Sequence, residues 1–82
     1  MNKEEIFNKA VDFITANNSE LSKEQVKMDS TFEELNMDSL DGITIITDLE
    51  KQYNIILSNE EVSQIKTVAQ AVDIVEKHIV QN

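Results

Sequence analysis

Ser39 is the residue whose setting points to covalent chemistry in this 82-residue chain, because it lies in Met37-Asp38-Ser39-Leu40-Asp41, where a helical pattern begins. A phosphate ester on a first-turn serine hydroxyl meets backbone N–H groups without intrahelical acceptors and the positive end of the helix dipole. An ordinary helix-start serine fits the triplet Asp-Ser-Leu as well, since three residues carry little information. Other chemistries are thin. The chain has no Cys, which removes disulfides, thiolate nucleophiles and cysteine zinc sites, and its single His, His78, removes a multi-histidine metal centre. His78 falls in the last turn of a helical pattern, where the helix C-terminus favours it. The paired carboxylates are sequence neighbours, so on a helix they point in different directions. Calcium-loop spacing is absent around residues 38–42. Neither a catalytic centre nor a metal site is expected.

The elements that must position Ser39 are helical. One Gly and no Pro leave almost none of the turn chemistry that hairpins and barrels require. Asn2 and Glu5 stand at capping-box spacing, and Ile6, Phe7, Ala10, Val11, Phe13 and Ile14 then recur at helical intervals, giving a first helix over about 3–16. Asn17 and Asn18, tolerant of left-handed backbone, should end it. Residues 18–37 read as a long loop pinned by scattered apolar anchors, with Ser30 and Glu33 spaced to cap a single turn. A second helix over about 38–53 steps along Leu40, Ile43, Ile46, Leu49 and Tyr53, with Asp41, Thr44, Asp48 and Lys51 opposite. Gly42 weakens it by about 1 kcal/mol relative to Ala. Ser58 with Glu61 caps a short helix carrying Val62 and Ile65, and Thr67 with Gln70 caps a last one with Val68, Ala71, Val72, Val75 and Ile79 on its apolar face. The expectation is an all-α fold in a single domain, residues 1–82.

Charge narrows the partners. Seven Lys, no Arg and sixteen acids give a formal charge of -9. Such a chain repels nucleic acid and anionic lipid and attracts basic protein surfaces. Asp29, Glu33, Glu34, Asp38, Asp41, Asp48 and Glu50 fall within residues 28–50, a stretch with no Lys. A solvated face explains most acids elsewhere in the chain. For Asp38, Asp41 and Asp48, a docking surface for a basic partner explains the missing lysines better. No apolar run reaches the ~20 residues of a membrane span, and the start MNKEEIF lacks a secretory layout, so a cytoplasmic monomer is expected.

The chain resembles the acyl carrier protein family from its first helix to Ile79. The resemblance is carried by Phe32-Glu33-Glu34-Leu35, Asp38-Ser39-Leu40-Asp41, Leu49-Glu50-Lys51-Gln52-Tyr53, Ser58-Asn59-Glu60-Glu61 and Ile65-Lys66-Thr67-Val68, in order and at family spacing. It implies a small antiparallel four-helix bundle of three longer helices and one short one. It implies 4'-phosphopantetheine, derived from coenzyme A, on Ser39, with an acyl group held as a thioester on the arm. The implied partners are a phosphopantetheinyl transferase (holo-carrier synthase), which must supply magnesium and the base that activates Ser39, and acyl-loading, ketoacyl synthase, reductase or acyltransferase enzymes with basic patches. A carrier needs no catalytic residues of its own. Ile43, Ile46, Ile65, Ala71 and Val75 are candidates to line an acyl pocket, although simple core packing accounts for each of them.

Three positions depart from the family pattern. Asn36 stands where a glycine commonly precedes the motif, Gly42 where Thr is frequent, and Thr44 where an acid often serves docking. Asn adopts the same left-handed backbone as Gly, so the first change is mild. The loss at Thr44 points to a specialised carrier as a competitor to one of housekeeping fatty acid synthesis. An acidic helical adaptor that is never modified explains the charge equally, but gives no reason for a serine at the start of the most acidic helix.

Overall fold

A computed structural model describes residues 2–80. Helix α1 (Lys3–Asn17) starts as expected, with the Glu5 N–H donating to Asn2 Oδ1 at 2.9 Å. Its buried stripe is Ile6, Ala10, Val11 and Ile14, with Phe7 and Phe13 half-buried at its edges. The end differs from expectation. Asn17 is still helical and Asn18 is extended (φ -144°), its side-chain amide donating to the Leu35 carbonyl at 3.4 Å. The asparagine that stops α1 ties it to the following loop.

Left-handed asparagines instead frame α2 (Ser39–Tyr53): Asn36 (φ 58°) precedes it and Asn54 (φ 55°) closes it. Upstream, the Met37 N–H donates to the Phe32 carbonyl at 3.0 Å and the Asn36 N–H to that of Glu33 at 3.0 Å, the bond pair of a Schellman ending. Downstream, the Ile55 N–H reaches the Glu50 carbonyl at 3.0 Å, and Glu50 Oε2 accepts from the Leu57 N–H at 2.8 Å. Within the loop, the capped turn is one residue later than expected. Thr31 and Glu34 exchange the capping bonds, leaving Ser30 Oγ to accept from the Lys27 N–H at 3.0 Å. Ser22 and Gln25 cap a further short turn over Lys23–Gln25.

Helix α3 (Asn59–Gln64) and helix α4 (Val68–Val80) begin at the expected caps, Ser58 with Glu61 and Thr67 with Gln70. The core collects α1, the α2 residues Ile45, Ile46 and Leu49, the α4 residues Val68, Ala71, Val72 and Val75, and the loop anchors Val26, Phe32, Leu35 and Met37. The described residues thus form the expected all-helical four-helix bundle, with a single isolated bridge, Thr31 to Thr67, in place of any strand. That bridge sits within a strap. The Phe32 N–H donates to the Lys66 carbonyl (3.1 Å), the Val68 N–H to that of Ser30 (3.0 Å) and the Ala69 N–H to that of Met28 (2.8 Å).

Helix α3 is held more lightly than the others, since none of its own residues is buried. Among the described residues, its side-chain polar tie to another helix is the pair of Glu61 Oε2 with His78 Nε2 at 2.9 Å. The Ser58 N–H, followed by the His78 ring, lowers the Glu61 carboxyl from its ordinary 4.5 to about 2.

Two predictions follow from this framing. A Cβ at Gly42 would meet nothing within 4 Å, and its φ is not positive, so Gly42→Ala should stabilise the protein by about 1 kcal/mol through helix propensity. Asn36→Ala, at φ 58°, should destabilise by about 1 kcal/mol while Asn36→Gly is nearly neutral. Urea denaturation midpoints of the three variants check both signs.

The lowered Glu61 carboxyl contributes stability that is complete above its unfolded value of 4.5 and lost as pH falls towards about 2. Glu61→Gln should therefore be less stable than the parent near neutral pH, with the gap closing steadily below pH 4.5. A gap independent of pH from 6 to 3 would show that the loss is packing and not charge.

Candidate functional site

Ser39 is the first residue of α2 and is exposed. The helix start behind it is built by two carboxylates. The Asp41 N–H donates to Asp38 Oδ1 (2.9 Å), the Asp38 N–H donates to Asp41 Oδ2 (3.3 Å), and the Gly42 N–H reaches the Asp38 carbonyl (3.0 Å). Among the described residues, only the Ser39 and Leu40 N–H groups of this first turn lack a protein acceptor. This refines the expectation from the sequence: an ester on Ser39 shares the helix end with two anions already there, and the dipole is partly answered before it arrives.

Two clefts border Ser39. One, of about 230 Å³, runs between α2 and α3 and is walled by Gly42, Ile43, Ile46, Val62 and Ile65. The other, of about 320 Å³, lies against the loop, with Phe32, Glu33, Met37 and Asp38 along it. The exposed hydroxyl, on a capped and rigid helix start with open space to either side, fits a covalently attached arm without displacing any side chain. The first cleft is smaller than the roughly 300–1,000 Å³ of a formed small-molecule site, so a long alkyl chain would require α3 to move outward.

The acyl-pocket candidates divide. Ile46 and Ile65 are buried at the cleft and Ile43 stands half-exposed on its wall, whereas Ala71 and Val75 face the core from α4 and line neither cleft. The expected apolar face of α2 is corrected here. Leu40 is 73% exposed and Ile43 50%, while Ile45, absent from the expected stripe, is buried. Each step of three residues turns the helix by roughly 60° away from its starting line, so 40, 43, 46 and 49 fan out until Leu40 opposes Leu49. Leu40 and Ile43 therefore share the outer surface with Thr44, whose Oγ1 donates to the Leu40 carbonyl at 3.0 Å. Asp41 is exposed beside them, and Asp48, three residues on from Ile45, is half-buried.

Sequence reasoning missed Lys66, which lines both clefts with Ser39. The two are far apart in the chain, and the strap that includes the Phe32–Lys66 bond brings their segments together. None of the seven acids of residues 28–50 forms a salt bridge among the described residues. The ion pairs lie elsewhere, Lys3 with Asp73 (2.9 Å) and Lys23 with Asp12 (2.8 Å). No helix among the described residues is long and apolar enough to cross a membrane.

Known proteins resemble this chain in sequence and in fold. Residues 13–75 match the family described as phosphopantetheine attachment site. The acyl carrier protein of Lactobacillus acidophilus is 37% identical over 79 residues, spanning 95% of this chain and 98% of its own. That of Cyanidium caldarium is 38% identical over 74 residues, covering 89% and 85%. The crystal structure of the acyl carrier protein from Thermotoga maritima superposes with a TM-score of 0.87 at 28% identity, covering 99% of this chain and 94% of that one. With a family match running from within α1 to within α4, and relatives aligned nearly end to end, the chain belongs to the acyl carrier proteins, carriers of covalent 4'-phosphopantetheine without catalytic activity of their own.

Proposed function

We propose that Ser39 is the attachment point of the arm, that residues 1–82 act as one carrier domain in the cytoplasm, and that the cargo belongs to fatty acid or related lipid or polyketide synthesis. The observation that carries the assignment is the exposed Ser39 hydroxyl at the first position of α2, between two clefts and inside the Asp-Ser-Leu triplet. When bound, the arm supplies the thiol that holds an acyl group as a thioester. The chain's own residues orient and present. Asp38 and Asp41 fix the helix start so that the Ser39 Oγ projects outward, and Ile46, Val62 and Ile65 offer an apolar surface beside it. By the family resemblance, the modifying transferase supplies both the magnesium and the base that takes the Ser39 proton.

Intact mass after incubation with a phosphopantetheinyl transferase, coenzyme A and magnesium should show one added arm on the parent chain and none on Ser39→Ala. Modification of Ser39→Ala, or none of the parent with several broad-specificity transferases, overturns the assignment.

Partner enzymes should meet the outer face of α2, where Asp38, Asp41 and Asp48 lie among the exposed Leu40, Ile43 and Thr44. Thr44 supplies no charge at a position where an acid often serves docking, which favours dedicated partners over housekeeping ones. Rim charges act chiefly on encounter. The double variant Asp41→Asn, Asp48→Asn keeps side-chain shape while removing two charges, and should slow arm transfer by about tenfold at low salt, the low end of electrostatic steering. The difference should shrink at high salt. Unchanged rates at low salt would move the docking surface elsewhere.

A further inference from the structure

We propose that Lys66 is a positioning residue for the arm, its ammonium pairing with the phosphodiester anion on Ser39. The proposal rests on Ser39 being the attachment point. Its first support is the charge at the helix start. The Asp38 carboxylate already occupies the Asp41 N–H, and Asp41 returns its own carboxylate to the Asp38 N–H. A third anion on Ser39 finds only two free backbone amides there and two like charges beside it. A nearby cation is what the site lacks.

Lys66 is the one cationic residue lining either cleft beside Ser39, and it lines both. Its backbone is held on both sides. The Lys66 N–H donates to Gln70 Oε1 at 2.7 Å and its carbonyl accepts from the Phe32 N–H at 3.1 Å, so the side chain rises from a fixed root. Glu33 and Asp38 share the loop-side cleft with it, yet among the described residues its ammonium lies within salt-bridge distance of neither. An exposed ammonium that local acids have not engaged is available to a phosphodiester arriving between the two clefts. Lysine acts on phosphate as a point charge, so arginine should replace it, and the pairing should weaken as salt screens it.

The test uses the intact holo-protein, with the arm confirmed by mass, and reads the phosphodiester by ³¹P NMR. At low salt, Lys66→Gln should displace the ³¹P resonance and sharpen it as the phosphate gains motion. Lys66→Arg should keep the parent position, and Lys27→Gln, outside both clefts, should leave it unmoved. Raising salt to about 0.5 M should bring the parent towards the Lys66→Gln position. An identical resonance in parent and Lys66→Gln at low salt overturns the pairing, as does an Lys66→Arg protein that behaves like Lys66→Gln. Absence of the arm on the parent by mass would instead refute the Ser39 assignment, and this proposal with it.

Discussion

The strap between residues 28–32 and 66–69 is the constraint on which the site depends. A connection as long as residues 18–37 carries a large ordering cost and many backbone groups that need partners once its anchors are buried. Val26, Phe32, Leu35 and Met37 supply the burial, and the bonds from Phe32 to Lys66, Val68 to Ser30 and Ala69 to Met28 supply the partners. The strap fixes Phe32, and Phe32 accepts the bond that closes the turn through left-handed Asn36. That turn delivers Met37 to the core and Asp38 to its cap. Ser39 is therefore oriented by a chain of contacts that begins about thirty residues further on. The same chain seats Lys66 across from it.

The acids of this segment serve the backbone more than they serve each other. Glu34 caps the loop turn, Asp38 and Asp41 build the start of α2, and Glu50 holds the Leu57 N–H beyond its end. Each local N–H dipole answers a carboxylate at close range without cancelling its charge at a distance. The helix is thus firmly capped while its field remains negative, as the proposed docking of basic partners on α2 requires. Lysine partners would have given similar local anchoring and removed the field.

How much of this was legible in the sequence depended on the range of the interaction involved. Caps at Asn2, Ser58 and Thr67 follow from side chains that reach three residues, and each stands where its spacing placed it. The one-residue error at Ser30 came from two adjacent hydroxyls with two adjacent acids, where local spacing offers no choice and the strap makes it. The face of α2 went astray because a step of three looks helical yet drifts; Ile45 and Leu49, four apart, mark the true buried line. The place of Ser39 at the start of α2 was legible through the helical pattern that begins there. Lys66 carried no local signal, because its role exists only once the strap has formed.

Helix α3 shows what a chain of this size gives up and gains. With few residues to spare, the bundle cannot surround a preformed cavity and still fill a core. It places a short helix with no buried residue of its own over one side of the cleft beside Ser39, fastened by Val62 and Ile65 and by the Glu61–His78 hydrogen bond to α4. Moving that helix outward breaks little packing, since the large core side chains Ile6, Ile14, Ile45, Leu49 and Val72 belong to the other three. An outward motion of α3 would therefore cost few buried contacts and leave the helix that bears Ser39 in place. On the proposed assignment, room for cargo and an attachment point at Ser39 fall to different helices, so the one need not disturb the other.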